Sequence, residues 1–153
     1  MINKVIYAAV LCTWAGTSTA QTILTVTHGD AQIEYDLAAL QALPQTEFTT
    51  RNGFIDGDSM FSGPLLRDVL ELSNLLDEDT ITLRAANDYA ITYPVSDAMG
   101  YDVIIATQMD GVVMSVREKG PLWLMYPFSD FPELSDGIFK SRIIWQLAEV
   151  SSQ

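Results

Sequence analysis

The chain has 153 residues, with 8 basic against 20 acidic side chains and a formal net charge of −12. A surface this acidic repels nucleic acid and anionic lipid, which argues against both as partners. With one histidine (His28) and one cysteine (Cys12), the chain lacks the soft ligands for a zinc or copper site of its own.

Residues 1–20 read as a secretory signal peptide. Lys4 supplies the charged start, Val5 to Cys12 an apolar stretch, and Ser18-Thr19-Ala20 the small residues before a cleavage point. The apolar run is too short to span a bilayer, so no membrane insertion is expected. Leu11 stands before Cys12 where a lipid-anchor signal wants a small residue. The expectation is a periplasmic protein cut after Ala20. Residues 21–153 would then form one domain, large enough for its own core but not for two. Cleavage removes Cys12, so packing rather than a disulfide must hold that domain together.

Thr22 to His28 and Ala31 to Tyr35 alternate apolar with polar residues around Gly29-Asp30, the pattern of a β-hairpin. Asp36 is placed to cap a short helix over Leu37–Leu43, stopped by Pro44. Gln45 to Thr50 reads as a strand and Arg51 to Gly63 as a glycine-rich loop. Pro64 then opens a helix whose Leu65, Leu66, Val69, Leu70 and Leu76 share a face.

Thr80–Ala86 and Tyr89–Val95 read as strands around an Asn87-Asp88 turn, and Asp102–Gln108 as a strand that Asp110-Gly111 turns back. Leu122–Tyr126 is apolar throughout, as a fully buried strand would be. Asp130, Glu133 and Asp136 mark an acidic loop, and Ser141–Val150 fits helix or strand equally well. Strands dominate, with a few short helices, which predicts an α+β fold built on mixed β-sheets.

Four segments, in order, resemble one family. Phe61-Ser62-Gly63-Pro64-Leu65-Leu66-Arg67-Asp68-Val69-Leu70 is similar to its helix-opening motif, and Ala86-Asn87-Asp88-Tyr89 to its A-x-D-G-Y turn. Met114 to Pro127, with Gly120-Pro121-Leu122-Trp123-Leu124, resembles its G-x-P-L-R stretch, and Ile144-Trp145-Gln146-Leu147 its closing segment. The family is the oxidoreductase molybdopterin-binding domain, the fold of sulfite oxidase.

The resemblance implies a cleft for a pterin. It also implies two departures. The family's enzymes carry a molybdenum-binding cysteine after the strand matching Phe48-Thr49-Thr50, where this chain has Arg51-Asn52-Gly53. Their arginine in the G-x-P-L-R element is Trp123 here, an aromatic plane in place of a cation. Molybdenum is therefore not expected, while the pocket for the ring is. Short exported relatives of this pattern resemble pterin-binding proteins without redox activity, some of them periplasmic partners of inner-membrane enzymes that make or degrade cyclic di-GMP. The resemblance thus implies a non-catalytic pterin-binding protein that signals to the periplasmic domain of such an enzyme. The alternative is a periplasmic molybdopterin-dependent oxidoreductase with unusual metal ligation.

A pterin needs acceptors for its N3–H and 2-amino group, a donor for O4, and aromatic faces to stack on. The candidate site residues are Asn52, Asp88, Tyr89, Arg117, Trp123 and Tyr126. Each also has a structural reading: Asn52 and Asp88 as turn residues, Tyr89, Trp123 and Tyr126 as packing, Arg117 in a surface ion pair. Phe54 shares the loop of Asn52. Lys119 reads as solvated, Trp145 as core, and His28 as a hairpin residue. No nucleophile–histidine pairing supports hydrolytic catalysis.

Overall fold

The computed structural model describes residues 20–153, so all but Ala20 of the expected signal peptide, Cys12 included, lies outside the described residues. Strands β1 (Leu24–His28) and β2 (Ala31–Tyr35) form the expected hairpin, turning at Gly29 with φ +57°. Asp36 accepts a hydrogen bond from the Ala39 N–H at 2.7 Å and caps α1 (Leu37–Ala42). Strand β3 (Gln45–Thr50) follows as expected.

The loop after β3 is shorter than the glycine content suggests, because β4 (Ser59–Pro64) pairs with β3 along its whole length. Pro64 ends that strand rather than opening a helix, and α2 (Leu66–Leu72) starts after Leu65. Gly63 is required by a close approach: a Cβ there would lie 2.0 Å from the carbonyl oxygen of Ile105. Strands β5 (Thr80–Ala85) and β6 (Ala90–Pro94) match the reading, but Val95–Gly100 forms a further helix, α3. The expected strand over Asp102–Gln108 is split into β7 (Ile104–Ala106) and β8 (Gln108–Met109), with β9 (Val112–Val113) after the Asp110-Gly111 turn. Strand β10 (Trp123–Met125) is wholly buried. In the acidic loop, Pro132–Ser135 is a 3-10 turn and Asp136 caps α4 (Gly137–Lys140). The ambiguous last segment is a strand, β11 (Leu147–Ser152).

The main sheet runs β2-β1-β11-β5-β6, with β1 and β11 parallel and every other pair antiparallel. A second sheet runs β3-β4-β8-β9, and β7 pairs with β10. The inward alternation of β1, β4 and β5 joins the α2 residues Leu66, Val69 and Leu70 in one core with Leu122 to Tyr126. This is the expected α+β architecture of mixed sheets with short helices. Among the described residues, no helix is long and apolar enough to cross a membrane.

Candidate functional site

Three segments far apart in the chain meet at an open cleft of about 390 Å³. The β3–β4 loop brings Phe54, the β5–β6 turn brings Asn87 and Tyr89, and the stretch from α4 to β11 brings Lys140, Ser141, Ile143, Ile144 and Trp145. Its volume lies in the range of roughly 300–1,000 Å³ typical of small-molecule clefts. Phe54, Tyr89 and Trp145 remain 41%, 55% and 37% exposed, which is costly for large rings without a ligand or partner over them. Phe54 and Trp145 meet edge to face with centroids 5.5 Å apart.

Local geometry fixes these rings. The Asn87 side chain accepts from the Tyr89 N–H at 3.2 Å, and Asp88 adopts φ +67° to complete the turn. Trp145 forms an isolated antiparallel bridge with Trp123 just before β11. The Asn52 Oδ1 accepts from the Phe54 N–H at 2.8 Å and sets the bend that presents Phe54.

A second cleft of about 300 Å³ adjoins the first, with Lys140 lining both. Its other walls are Arg51, Asn52, Gly53, Phe128, Ser129 and Ser135. Asn52 is buried there, and its side-chain N–H₂ meets only the Met125 sulfur at 3.6 Å, a weak acceptor. Arg51 is paired with Asp58 at 3.1 Å, whereas Lys140 has no carboxylate within ion-pair distance among the described residues. No acid lines either cleft, so Lys140 leaves an unpaired positive charge at their junction.

The structure brings Tyr89 and Asn52 to these clefts and leaves the other sequence candidates out of them. Trp123 is a correction: its indole has no exposed surface and packs edge-on against Phe61 and Trp145. The apolar neighbours on β10 draw it inward, and Trp145, read as core from the sequence, takes the wall position instead. Tyr126 is also buried, its hydroxyl donating to Asp97 Oδ2 at 2.7 Å. Asp88 points its backbone, not its carboxylate, into the local bonding, with its carbonyl accepting from Arg84. Arg117 is exposed on a 3-10 turn, Val116–Glu118, and lines neither cleft.

Behind the site, Asp97 on α3 binds both Tyr126 and Arg142, so the segment carrying Lys140 to Trp145 is tied to the core through Arg142. Burial pushes the Tyr93 and Tyr126 phenols far above their usual range, keeping both un-ionised. Phe54 and Trp145 were the residues sequence reasoning missed. The available signals were a large ring in a glycine-rich loop and a tryptophan flanking a polar turn.

The comparisons with known proteins agree with this architecture. The chain resembles a solved structure of the sulfane dehydrogenase SoxCD from Paracoccus pantotrophus, at 14% identity and a TM-score of 0.61. The similarity covers 84% of this chain but only 37% of that one, so this chain spans little more than a third of its length. No curated protein matches the chain. The family described as the oxidoreductase molybdopterin binding domain matches residues 13–129, and the chain belongs to that family.

Proposed function

We propose that this protein binds a pterin without turning it over, in the aromatic cleft of Phe54, Tyr89 and Trp145. The observation that carries this reading is the exposure of three rings from three distant segments around one volume of ligand size. A flat heterocycle covers such rings and gains stacking on them. The Asn87 amide, which can both donate and accept, and Ser141 and Lys140 stand at the rim for the ring's polar edge. The cleft beyond Lys140 gives room for the ring's substituent, with Lys140 suited to a polar or anionic one.

The donor set fits the ring of the family's cofactor better than its metal. Residues 20–153 hold no thiolate, the soft ligand that the family's enzymes offer to molybdenum. Among the described residues there is also no group of three or more His, Cys, Asp or Glu side chains arranged to hold a metal ion. Arg51-Asn52-Gly53, after β3, offers an amide and a guanidinium, which bind anions and ring edges.

The biological role we propose is that of a periplasmic reporter. The protein is exported by residues 1–20 and signals pterin occupancy to the periplasmic domain of an inner-membrane enzyme of cyclic di-GMP metabolism. The basis is the family membership together with the signal-like start of the chain.

The test is mass spectrometry and metal analysis of the protein purified from its periplasm. A co-purifying pterin released on denaturation, at near one per chain and without molybdenum, is the expected result. Stoichiometric molybdenum would instead establish the oxidoreductase alternative. Failure of both the purified and the titrated protein to bind any pterin would overturn the reading.

A further inference from the structure

We infer that Lys119 sets the redox preference of the aromatic cleft, favouring a reduced, electron-rich pterin ring over its oxidised form. The inference rests on the pterin reading above. Lys119 lines neither cleft. Its ammonium stands instead behind the aromatic wall, 5.4 Å from the Trp145 ring centre, 5.7 Å from that of Phe54 and 5.1 Å from that of Trp123.

The lysine is held there by its own backbone and by two hydrogen bonds. It closes the Val116–Glu118 turn in the left-handed conformation, φ +67°. Its ammonium donates to the Phe54 carbonyl at 2.7 Å, and its own carbonyl accepts from the Gln146 N–H at 3.1 Å. Both bonds reach the residues that carry or flank the cleft rings. No carboxylate neutralises it within ion-pair distance among the described residues. A half-buried, unneutralised cation is thus shared among three rings, two of which wall the cleft.

The consequence is electronic. A cation held over a π-face draws on the ring's electron density, and the pull is strong where water is partly excluded. An oxidised pterin is electron-poor and stacks best on an electron-rich indole. A tetrahydropterin returns density to its pyrimidine ring from N5 and N8, and is the better match for a ring polarised by an ammonium. Lys119 therefore weakens the first pairing and strengthens the second.

The experiment is calorimetric titration of the protein, stripped of bound small molecules, with neopterin and, under anaerobic conditions, with tetrahydroneopterin. Lys119→Gln is compared with the native protein, because its amide can still donate to the Phe54 carbonyl while the charge is gone. The expected result is tighter binding of the reduced form by the native protein, with that preference reduced about fivefold in Lys119→Gln. Thermal melts of both proteins accompany the titrations, and Lys119→Arg, which keeps the charge, should restore the preference if the loop is intact. An unchanged preference in Lys119→Gln, or native preference for the oxidised ring, overturns the inference while leaving pterin binding in place. Absence of binding to either form by the native protein overturns the pterin reading and the inference with it.

Discussion

Trp123 and Trp145 are bridge partners whose rings stand 6.4 Å apart at 89°, one sealed in the core and the other walling the cleft. They should respond to truncation in opposite ways. Trp123→Ala should cost about 3–5 kcal/mol of stability, as large core truncations do. Trp145→Ala should cost only about 1 kcal/mol, since its ring is partly exposed, yet abolish pterin binding. Thermal melts paired with ligand titration separate the two, and a severe melt shift for Trp145→Ala would put that ring in the core as well.

Alkaline pH should destabilise the protein through Tyr93 and Tyr126. Burial raises both phenols above the value of about 10 that they regain on unfolding. Their contribution is therefore complete below about pH 10 and falls as pH rises past it, because only the unfolded chain readily releases those protons. Melting temperatures between pH 8 and pH 11.5 should decline over the upper part of that range, and less steeply in Tyr126→Phe. A flat profile would contradict the account.

Asp97→Ala should loosen the cleft wall as well as the core. It removes the acceptor of Tyr126 and the partner of Arg142 at once. Because Arg142 keeps some access to water, the expected loss is about 2 kcal/mol, below the 3–5 kcal/mol of a fully buried pair. Chemical denaturation measures it. Hydrogen exchange should then rise in residues 137–146, the segment that Arg142 ties down.

Gly63→Ala should be among the most damaging single-methyl additions. The new Cβ meets the Ile105 main chain, which has no flexible end to move aside. A loss of about 3 kcal/mol or more is expected, by denaturant titration. Gly29→Ala meets nothing within 4 Å, so only its positive φ opposes it, and a loss near 1 kcal/mol is expected.

Much of the architecture was legible because local patterns and tertiary structure agree. The β1–β2 alternation, the Asp36 cap and the apolar Leu122–Tyr126 run each led to the element observed. The sequence failed where a long-range contact overrides the local signal. Gly53 and Gly57 suggested a loop as far as Gly63, but pairing with β3 draws Ser59–Pro64 into a strand. Pro64, a common helix opener, became a strand end for the same reason. The site was the least legible part. Asn52 and Tyr89 were readable from the turns they occupy, whereas exchanging Trp123 for Trp145 required knowing which side of a single bridge faces the core.

The placement of β11 between β1 and β5 has a consequence for how this chain is made. The first hairpin and the β5–β6 hairpin share no edge of their own, and the strand that joins them follows both in the chain. A growing chain therefore holds two half-sheets with nothing between them. The sheet is complete only once Leu147–Ser152 pairs with both, a long-range closure that slows its assembly.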